Sequence, residues 1–113
     1  MSNTFLTGKK ILVTGHTGFK GSWLSLMLQN HGALLTGYSL MPDKKNNLFD
    51  LALVADGMKS VIGDIRDSEK LNKTMSDFAP EIVIHMAAQP LVRFSYENPV
   101  ETYSTNVMGT INT

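Results

Sequence analysis

Three glycines, Gly15, Gly18 and Gly21, follow an apolar β-branched run and precede a helical pattern of apolar residues. Gly15 allows a sharp turn, because a positive φ is costly for other residues. Gly18 has no Cβ, which lets backbone N–H groups approach a pyrophosphate, and Gly21 lets the helix pack close to its strand. The helix N-terminus adds N–H donors and the positive end of the dipole. In this context the spacing predicts a dinucleotide-binding turn, whereas the glycines alone would indicate only turns.

Further chemistry-bearing residues follow the other predicted strands, at the sheet edge where a ligand binds. Asp64 is interpreted as an acceptor for an adenine amino group, with a plain turn as the alternative, and Asp67 as a helix cap. The small residues Ala87 and Ala88, before Gln89, let a flat ligand lie against the backbone, or allow tight packing.

Ser39 occupies the position where a Rossmann site usually has an acid for the ribose hydroxyls. Asp43 lies four residues further on, and Lys44 and Lys45 indicate either a contact with a 2′-phosphate or a solvated loop. The neutral Ser39 hydroxyl predicts weaker discrimination between NAD and NADP than an acid would give.

Two other polar residues have competing interpretations. His85 lies within a predicted strand and is interpreted as a satisfied core histidine rather than a catalyst. Arg93 can meet a phosphate through its planar fork, or it can be a surface charge.

Composition narrows the class of protein. The 113 residues contain ten Lys and Arg, ten Asp and Glu and no cysteine. Balanced charge gives no reason to expect nucleic acid as a partner, and the missing cysteines exclude disulfides and cysteine-based zinc sites. No metal site is predicted. No secretory leader or membrane-length apolar run is visible, so we expect a cytoplasmic protein without a membrane partner.

Hydrophobic periodicity predicts alternating strands and helices. Phe19, Trp23 and Met27, with Leu24 and Leu28 beside them, give the first helix a wide apolar face of the kind that packs on a core. Right-handed crossovers then produce an α/β fold, a Rossmann-type doubly wound parallel sheet, of which this chain holds the N-terminal half only. We predict strands at 11–14, 33–38, 60–62 and 81–86, helices at 19–30, 68–78 and from 98–99 to 111, and a loop with at most a short helix at 41–56.

Four motifs resemble those of the extended short-chain dehydrogenase/reductases that act on nucleotide sugars. They are Thr14-Gly15-x-x-Gly18-Phe19-x-Gly21, Gly63-Asp64-Ile65-Arg66, His85-x-Ala87-Ala88 and Asn106-Val107-x-Gly109-Thr110. Within that group, Lys20-Gly21-Ser22-Trp23 together with Gln89-Pro90-Leu91-Val92-Arg93 looks like the 4,6-dehydratases that act on CDP-glucose. The resemblance covers nearly the whole chain and is loose from Met41 to Ser60.

This resemblance implies NAD as the cofactor and the nucleotide sugar CDP-glucose as the substrate. Phe19 and Lys20 would donate backbone N–H groups to the pyrophosphate, and a serine at position 39 would be a feature of the subgroup. Asp64 and Ile65 would meet the adenine, while Met86 to Gln89 and Thr105 would line the path to the nicotinamide ribose. The implied cofactor contacts are Gly15, Thr17, Gly18, Phe19, Lys20, Gly21, Ser39, Asp64, Ile65, Met86, Ala87, Ala88, Gln89 and Thr105.

The reaction implied by the resemblance is an internal redox cycle with a net loss of water. A hydride passes from the sugar C4 to NAD⁺, and the C4 ketone that results makes the C5 proton acidic. This proton and the C6 hydroxyl leave together as one water, and the hydride then returns to C6 while C5 regains a proton. A Tyr-x-x-x-Lys pair acts as electrophile and base, because the lysine cation lowers the pKa of the tyrosine. That pair is absent here, since the residues four positions after Tyr38, Tyr96 and Tyr103 are Pro42, Val100 and Val107.

We therefore interpret residues 1–113 as the N-terminal part of an NAD-binding Rossmann domain, inactive alone, with the catalytic pair and the substrate domain beyond Thr113. The last predicted strand then has an exposed apolar edge, which tends to associate with other chains. At full length we expect a homo-oligomer in the synthesis of dideoxysugars for the lipopolysaccharide O-antigen. A GDP-mannose 4,6-dehydratase, a sugar epimerase and a non-catalytic dinucleotide-sensing regulator are the alternatives, and the Tyr/Lys pair separates the regulator from the enzymes.

Overall fold

A computed structural model of the protein describes residues 5–42, 47–88 and 92–113. Strands and helices alternate over the first three quarters of the chain, and helical segments follow the fourth strand. The strands are β1 Lys10–Thr14, β2 Leu34–Ser39, β3 Lys59–Ile62 and β4 Ile82–His85. The helices are α1 Phe19–Asn30, α2 Leu48–Leu51, α3 Ser68–Phe78, α4 Val92–Glu97, α5 Pro99–Tyr103 and α6 Gly109–Asn112, with a 3₁₀ turn at Val54–Gly57 and a π-helical turn at Ser104–Met108.

The four strands form one parallel sheet in the order β3-β2-β1-β4. This is the arrangement of the first four strands of the doubly wound order 3-2-1-4-5-6, so the predicted fold is confirmed. β1 lies in the middle and is buried on both faces, which explains its continuously apolar sequence.

Helices cover both faces of this sheet. Ile11, Val13 and Leu35 pack with Leu28 of α1, whereas Tyr38 packs with Leu71 of α3. Because successive strand residues point to opposite faces, Leu35 and Tyr38 of β2 place these two clusters on opposite sides of the sheet. The carboxyl ends of the strands lie at one edge, where the chain continues into Gly15, Asp64 and Met86 and where Ser39 ends β2.

Helix bounds agree well with the predictions for α1 and α3, which run from residue 19 to 30 and from 68 to 78. Gly32 ends α1 with a φ of 82°, and Asp67 caps α3 by accepting a hydrogen bond from the Lys70 backbone N–H. Asn98 stands at the N-cap of α5, but its side chain makes no capping hydrogen bond.

The buried face predicted for α1 is right for Leu28, which is buried, and for Leu24, which packs against the core, but it is wrong for the three residues spaced by four. Phe19, Trp23 and Met27 are 71%, 57% and 50% exposed. The residues of α1 that are buried are Gly21, Ser22, Ser25 and Leu28. Apolar periodicity favoured the large side chains, but the close approach of the helix to the preceding loop leaves room only for small ones.

The segment after β4 also differs from its prediction. α4 was not predicted, and the expected continuous helix from residue 98 to 111 is interrupted by the π-helical turn. Within the described ranges, β4 pairs only with β1, and Val83 at this edge is 41% exposed, which agrees with the expected open edge. Among the helices of these ranges, none has the length and apolarity needed to span a bilayer.

Candidate functional site: a glycine-rich turn at the carboxyl edge of the sheet

Gly15 makes the turn directly after β1. Its φ is 81°, and a Cβ there would lie 2.8 Å from the Met86 carbonyl carbon and the Ala87 nitrogen. The backbone that follows β4 therefore packs directly against this turn. Both the dihedral angle and the space require glycine, which confirms the sharp turn predicted from the sequence.

Gly21 lies in the first turn of α1 and contacts the same loop. A Cβ there would collide with the Gly15 carbonyl group, and its next neighbour is the His16 Cα at 2.9 Å. Because these atoms are backbone, they have little freedom to move. The close packing predicted between this helix and its strand is thus found at the turn that directly follows the strand, and it requires glycine for the fold itself.

Gly18 differs from the other two glycines. It has φ −76° and ψ 172°, which any residue adopts, and a Cβ there would meet only the Gly15 carbonyl oxygen, at 3.5 Å. The protein alone therefore tolerates a side chain at this position. A requirement for glycine at residue 18 would come from a ligand.

Gly18 is the N-cap of α1, and no side chain caps this helix. The backbone N–H of Ser22 donates to the Gly18 carbonyl at 2.8 Å, which closes the first helical turn. The preceding N–H groups, of Phe19, Lys20 and Gly21, belong to the set that a helix leaves without an internal partner. Phe19 and Lys20 are exposed, and the first turn holds no acidic residue. The geometry suits an anion such as a pyrophosphate.

His16 anchors this turn to the sheet, a role that the sequence analysis did not identify. Its ring is fully buried, its Nε2 lies 2.7 Å from Ser60 Oγ, and it packs edge-on against Phe49. A Cβ on Gly37 would collide with the ring, so the missing side chain in β2 creates its space. Burial lowers the pKa of His16 to about 4, and the ring is neutral at pH 7. Within the described residues its Nδ1 has no hydrogen-bond partner.

Thr17 connects the turn to the end of β2. Its Oγ1 lies 2.8 Å from both Ser39 Oγ and the carbonyl oxygen of Leu40. Thr17 is buried and Ser39 is half-buried. The two hydroxyls that the sequence analysis assigned separately to the cofactor site are therefore a bonded pair.

A second hydrogen-bond network holds the end of β4. The Thr14 hydroxyl accepts from the backbone N–H groups of Met86, at 3.0 Å, and Ala87, at 3.2 Å, and lies 2.6 Å from His85 Nδ1. Since a hydroxyl accepts two hydrogen bonds and donates one, Thr14 donates to Nδ1. His85 Nε2 then carries the proton and donates to Thr110 Oγ1 at 3.0 Å.

This network agrees with the interpretation of His85 as a satisfied structural histidine. Burial lowers the pKa of His85, which favours the neutral ring that the network requires. The Met86 and Ala87 N–H groups are used inside the protein. A nucleotide at this edge would therefore meet the carbonyl groups or side chains of these residues.

Asp64 forms a bidentate ion pair with Arg66. The Arg66 Nη2 lies 2.6 Å from Asp64 Oδ2, and both Nε and the backbone N–H of Arg66 donate to Oδ1, at 3.0 and 2.9 Å. These hydrogen bonds hold the pKa of Asp64 below its usual value. The carboxylate is thus charged and oriented, but part of its accepting capacity is occupied by Arg66.

Ile65 turns its side chain into the core. Its side chain is buried with Tyr38 and Leu71 and contacts Gly109. Tyr38 also holds the segment after β3 in place, because its hydroxyl donates to the Asp64 carbonyl oxygen at 2.8 Å. Burial, followed by the charges of Asp67 and Asp64, raises the pKa of Tyr38 to about 12.

The other predicted residues that the structure describes lie after β4 or in the helical segments that follow it. Ala88 is exposed after β4, Thr105 is half-buried in the π-helical turn, and Arg93 is exposed on α4. Gln89 lies outside the described residues. The same holds for the predictions made for Asp43, Lys44 and Lys45.

The chain is similar to known nucleotide-sugar enzymes. It is 58% identical over 112 residues to the CDP-glucose 4,6-dehydratase of Salmonella typhimurium, a match that covers 99% of this chain and 31% of that protein. The chain thus spans about a quarter to a third of the length of the curated relatives it matches.

Solved structures share the fold over a similar span. The UDP-glucose 4-epimerase of Stenotrophomonas maltophila, with bound NAD and formylated UDP-arabinopyranose, matches with a TM-score of 0.80 and 25% identity, over 92% of this chain and 32% of that chain. The UDP-glucose 4-epimerase of Thermus thermophilus in complex with NAD gives 0.80 and 31%, over 91% and 32%.

The sequence profile of the GDP-mannose 4,6 dehydratase family matches residues 12–113, which include the whole glycine-rich turn and the network at the end of β4. With nearly its full length matched, this chain belongs to the GDP-mannose 4,6-dehydratase family.

Proposed function

We propose that this chain is the N-terminal part of the NAD-binding Rossmann domain of a nucleotide-sugar 4,6-dehydratase. The complete protein would be a lyase that converts CDP-glucose to CDP-4-dehydro-6-deoxyglucose with tightly bound NAD. The observation that carries this proposal is the 58% identity to the Salmonella CDP-glucose 4,6-dehydratase across 99% of the chain. The catalytic tyrosine and lysine and the substrate domain would lie outside residues 1–113.

The geometry of the glycine-rich turn supports NAD as the cofactor. An uncapped helix N-terminus, an open position at Gly18 and a hydroxyl pair at the end of β2 form a cradle that fits a dinucleotide. When bound, NAD would accept a hydride from the sugar and return it. The proposed contacts are Gly15, Thr17, Gly18, Phe19, Lys20, Gly21, Ser39, Asp64, Ile65, Met86, Ala87, Ala88, Gln89 and Thr105.

The residues of this chain would bind and orient the nucleotide. The start of α1 would hold the pyrophosphate between the N–H groups of Phe19 and Lys20. His16, as a neutral buried ring, would keep the turn in place without adding a charge beside the anion. Thr14 would fix the backbone of Met86 and Ala87, so that this side of the pocket is ordered before the nucleotide arrives.

A UDP-glucose 4-epimerase is the second candidate, because two solved epimerases share this fold with TM-scores of 0.80. The two functions predict different products, since an epimerase inverts C4 and retains the C6 hydroxyl. We further propose that the complete protein is a cytoplasmic homo-oligomer that supplies 4-keto-6-deoxy sugars for dideoxysugars of the lipopolysaccharide O-antigen.

The test is to incubate the full-length protein with CDP-glucose and to follow the 4-keto product, with UDP-glucose as the parallel substrate. We expect turnover of CDP-glucose only. Epimerised UDP-sugar would support the second candidate, and NAD binding without turnover would support a sensor. The 113-residue chain serves as the negative control, since its three tyrosines have no lysine four residues later.

The variant Gly18→Val tests the cofactor site separately. Because a Cβ at Gly18 meets only one atom, at 3.5 Å, the variant should fold with nearly unchanged stability. A side chain there would nevertheless occupy the space that the pyrophosphate needs, so NAD binding should be lost. Unchanged NAD affinity in a calorimetric titration would refute the assignment of this turn to the cofactor.

A further inference from the structure

Ser39 and Thr17 form a hydrogen-bonded pair whose direction can be deduced. The Thr17 Oγ1 lies 2.8 Å from Ser39 Oγ and 2.8 Å from the Leu40 carbonyl oxygen. A hydroxyl has a single hydrogen to donate, and a carbonyl oxygen can only accept. Thr17 therefore donates to Leu40. The hydrogen bond between the two side chains must then be donated by Ser39.

This direction determines what Ser39 offers to a ligand. Its only hydrogen points towards Thr17, so the remaining capacity of Ser39 Oγ is to accept hydrogen bonds. Ser39 ends β2, at the place where an acid accepts hydrogen bonds from the ribose hydroxyls in a Rossmann site. An acceptor-only hydroxyl there performs the same task as a carboxylate, without its charge.

We propose that Thr17 is a specificity-determining residue, which fixes the Ser39 proton so that the site selects a dinucleotide with a free ribose 2′-hydroxyl. The inference rests on the proposed function, because it requires that the turn binds a nicotinamide dinucleotide. A 2′-hydroxyl can donate to Ser39 Oγ. The ionised 2′-phosphate of NADP has only acceptor oxygens, which would face the lone pairs of Ser39.

The pair also holds the loop to the end of β2, and the experiment must separate this purely structural role from selectivity. A structural role changes the affinities for NAD and NADP together. A role in directing the Ser39 proton changes their ratio. The ratio of the two dissociation constants is therefore the decisive readout.

The test uses full-length protein freed of nucleotide and titrated with NAD and with NADP. Thr17→Val keeps the β-branched shape but removes the hydroxyl, which frees the Ser39 hydrogen to donate to a phosphate. We expect the preference for NAD over NADP to fall about tenfold, the equivalent of one hydrogen bond. Thr17→Ser keeps a hydroxyl and is the matched control, with an unchanged ratio.

A second variant keeps the test valid if Thr17→Val does not fold. Ser39→Ala removes the acceptor, so NAD affinity should fall while NADP affinity stays within about twofold of the unaltered protein. Equal losses for both dinucleotides in either variant would overturn the inference and leave the proposed function standing. A preference for NADP in the unaltered protein would overturn both the inference and the proposal that NAD is the cofactor. Absence of binding to both dinucleotides in the unaltered protein would refute the proposed function and the inference together.

Discussion

Helices α1 and α3 pack on opposite faces of the same sheet, and both start and end at the predicted residues. They differ in which side chains they bury. In α3 the buried residues are Leu71 and Thr74, on the apolar side of an otherwise polar helix. In α1 the buried side is made of Gly21, Ser22, Ser25 and Leu28, while Phe19 and Trp23 are exposed.

The difference follows from what each helix has to approach. α3 contacts the sheet through side chains, so its apolar stripe is the surface that becomes buried. α1 begins in the glycine-rich turn and must lie against backbone, as the collision of a Gly21 Cβ with the Gly15 carbonyl shows. Ser22 and Ser25 can be buried there because both hydroxyls are hydrogen-bonded. Ser22 donates to the His16 carbonyl at 2.9 Å, and Ser25 donates to the Gly21 carbonyl at 2.7 Å. Apolar periodicity is thus a good guide to the buried face only where side chains set the packing distance.

The variant Gly21→Ala should have the largest effect on this arrangement. One methyl group would displace α1 from the turn, and the atoms that it meets are backbone, so we expect a loss of about 4 kcal/mol or more in the free energy of unfolding. Gly18→Ala is the matched control and should change stability by less than about 1 kcal/mol. Urea unfolding of the full-length protein measures both. Equal effects of the two substitutions would contradict the distinction drawn between these glycines.

Leu71→Ala tests the side-chain packing of α3. Leu71 is fully buried against Tyr38 and Ile65, and its truncation should cost about 3 kcal/mol through lost burial and the cavity left behind. The exposed neighbour Asn72 supplies the control, since Asn72→Ala should stay within about 0.5 kcal/mol. A loss below about 1 kcal/mol for Leu71→Ala would show that α3 is not held by its apolar stripe.

Acid should weaken the attachment of α1 before that of α3. Burial lowers the pKa of His16 from 6.5 to about 4, so the unfolded chain binds a proton that the folded one does not. The stability due to neutral His16 is complete above pH 6.5 and is lost as the pH falls towards 4. Beside α3, Arg66 lowers the pKa of Asp64 below 3.8, so its contribution persists above that pH and is lost in stronger acid.

Unfolding measured between pH 4 and 7 should therefore show a slope that His16→Gln reduces. Burial also lowers the pKa of His85, which adds to the same slope, so the reduction should be partial. Asp64→Asn should leave the slope in this range unchanged. A full slope in His16→Gln would contradict the assignment.

Trp23→Gln should have the smallest effect. Trp23 is 57% exposed in the middle of α1, and its replacement should change the free energy of unfolding by less than about 0.5 kcal/mol. Thermal unfolding should be followed by circular dichroism rather than by fluorescence, because Trp23 is the single tryptophan of the chain and the variant lacks its signal. A cost comparable with that of Leu71→Ala would mean that the remainder of the full-length protein covers this side of α1.

The candidate site was predictable where a residue type has one geometric use. A positive φ at Gly15, the packing of Gly21 and the cap at Asp67 each follow from rules about a single residue and its neighbours in sequence. The contact between His16 and Ser60 was not predictable, because it depends on a glycine in a different strand. A buried histidine has no periodic signal of its own.

The alternation of strands and helices, the bounds of α1 and α3 and the place of the glycine-rich turn are determined by the sequence itself, through periodicity, caps and glycine dihedral angles. Only the tertiary structure decided which face of α1 is buried, which partner fixes the Ser39 hydroxyl and how Thr14 holds the end of β4. The physical reason is the distance along the sequence over which each kind of interaction acts. Local conformational preferences act between residues a few positions apart, whereas packing distance and hydrogen-bond direction depend on atoms that are brought together only when the sheet has formed.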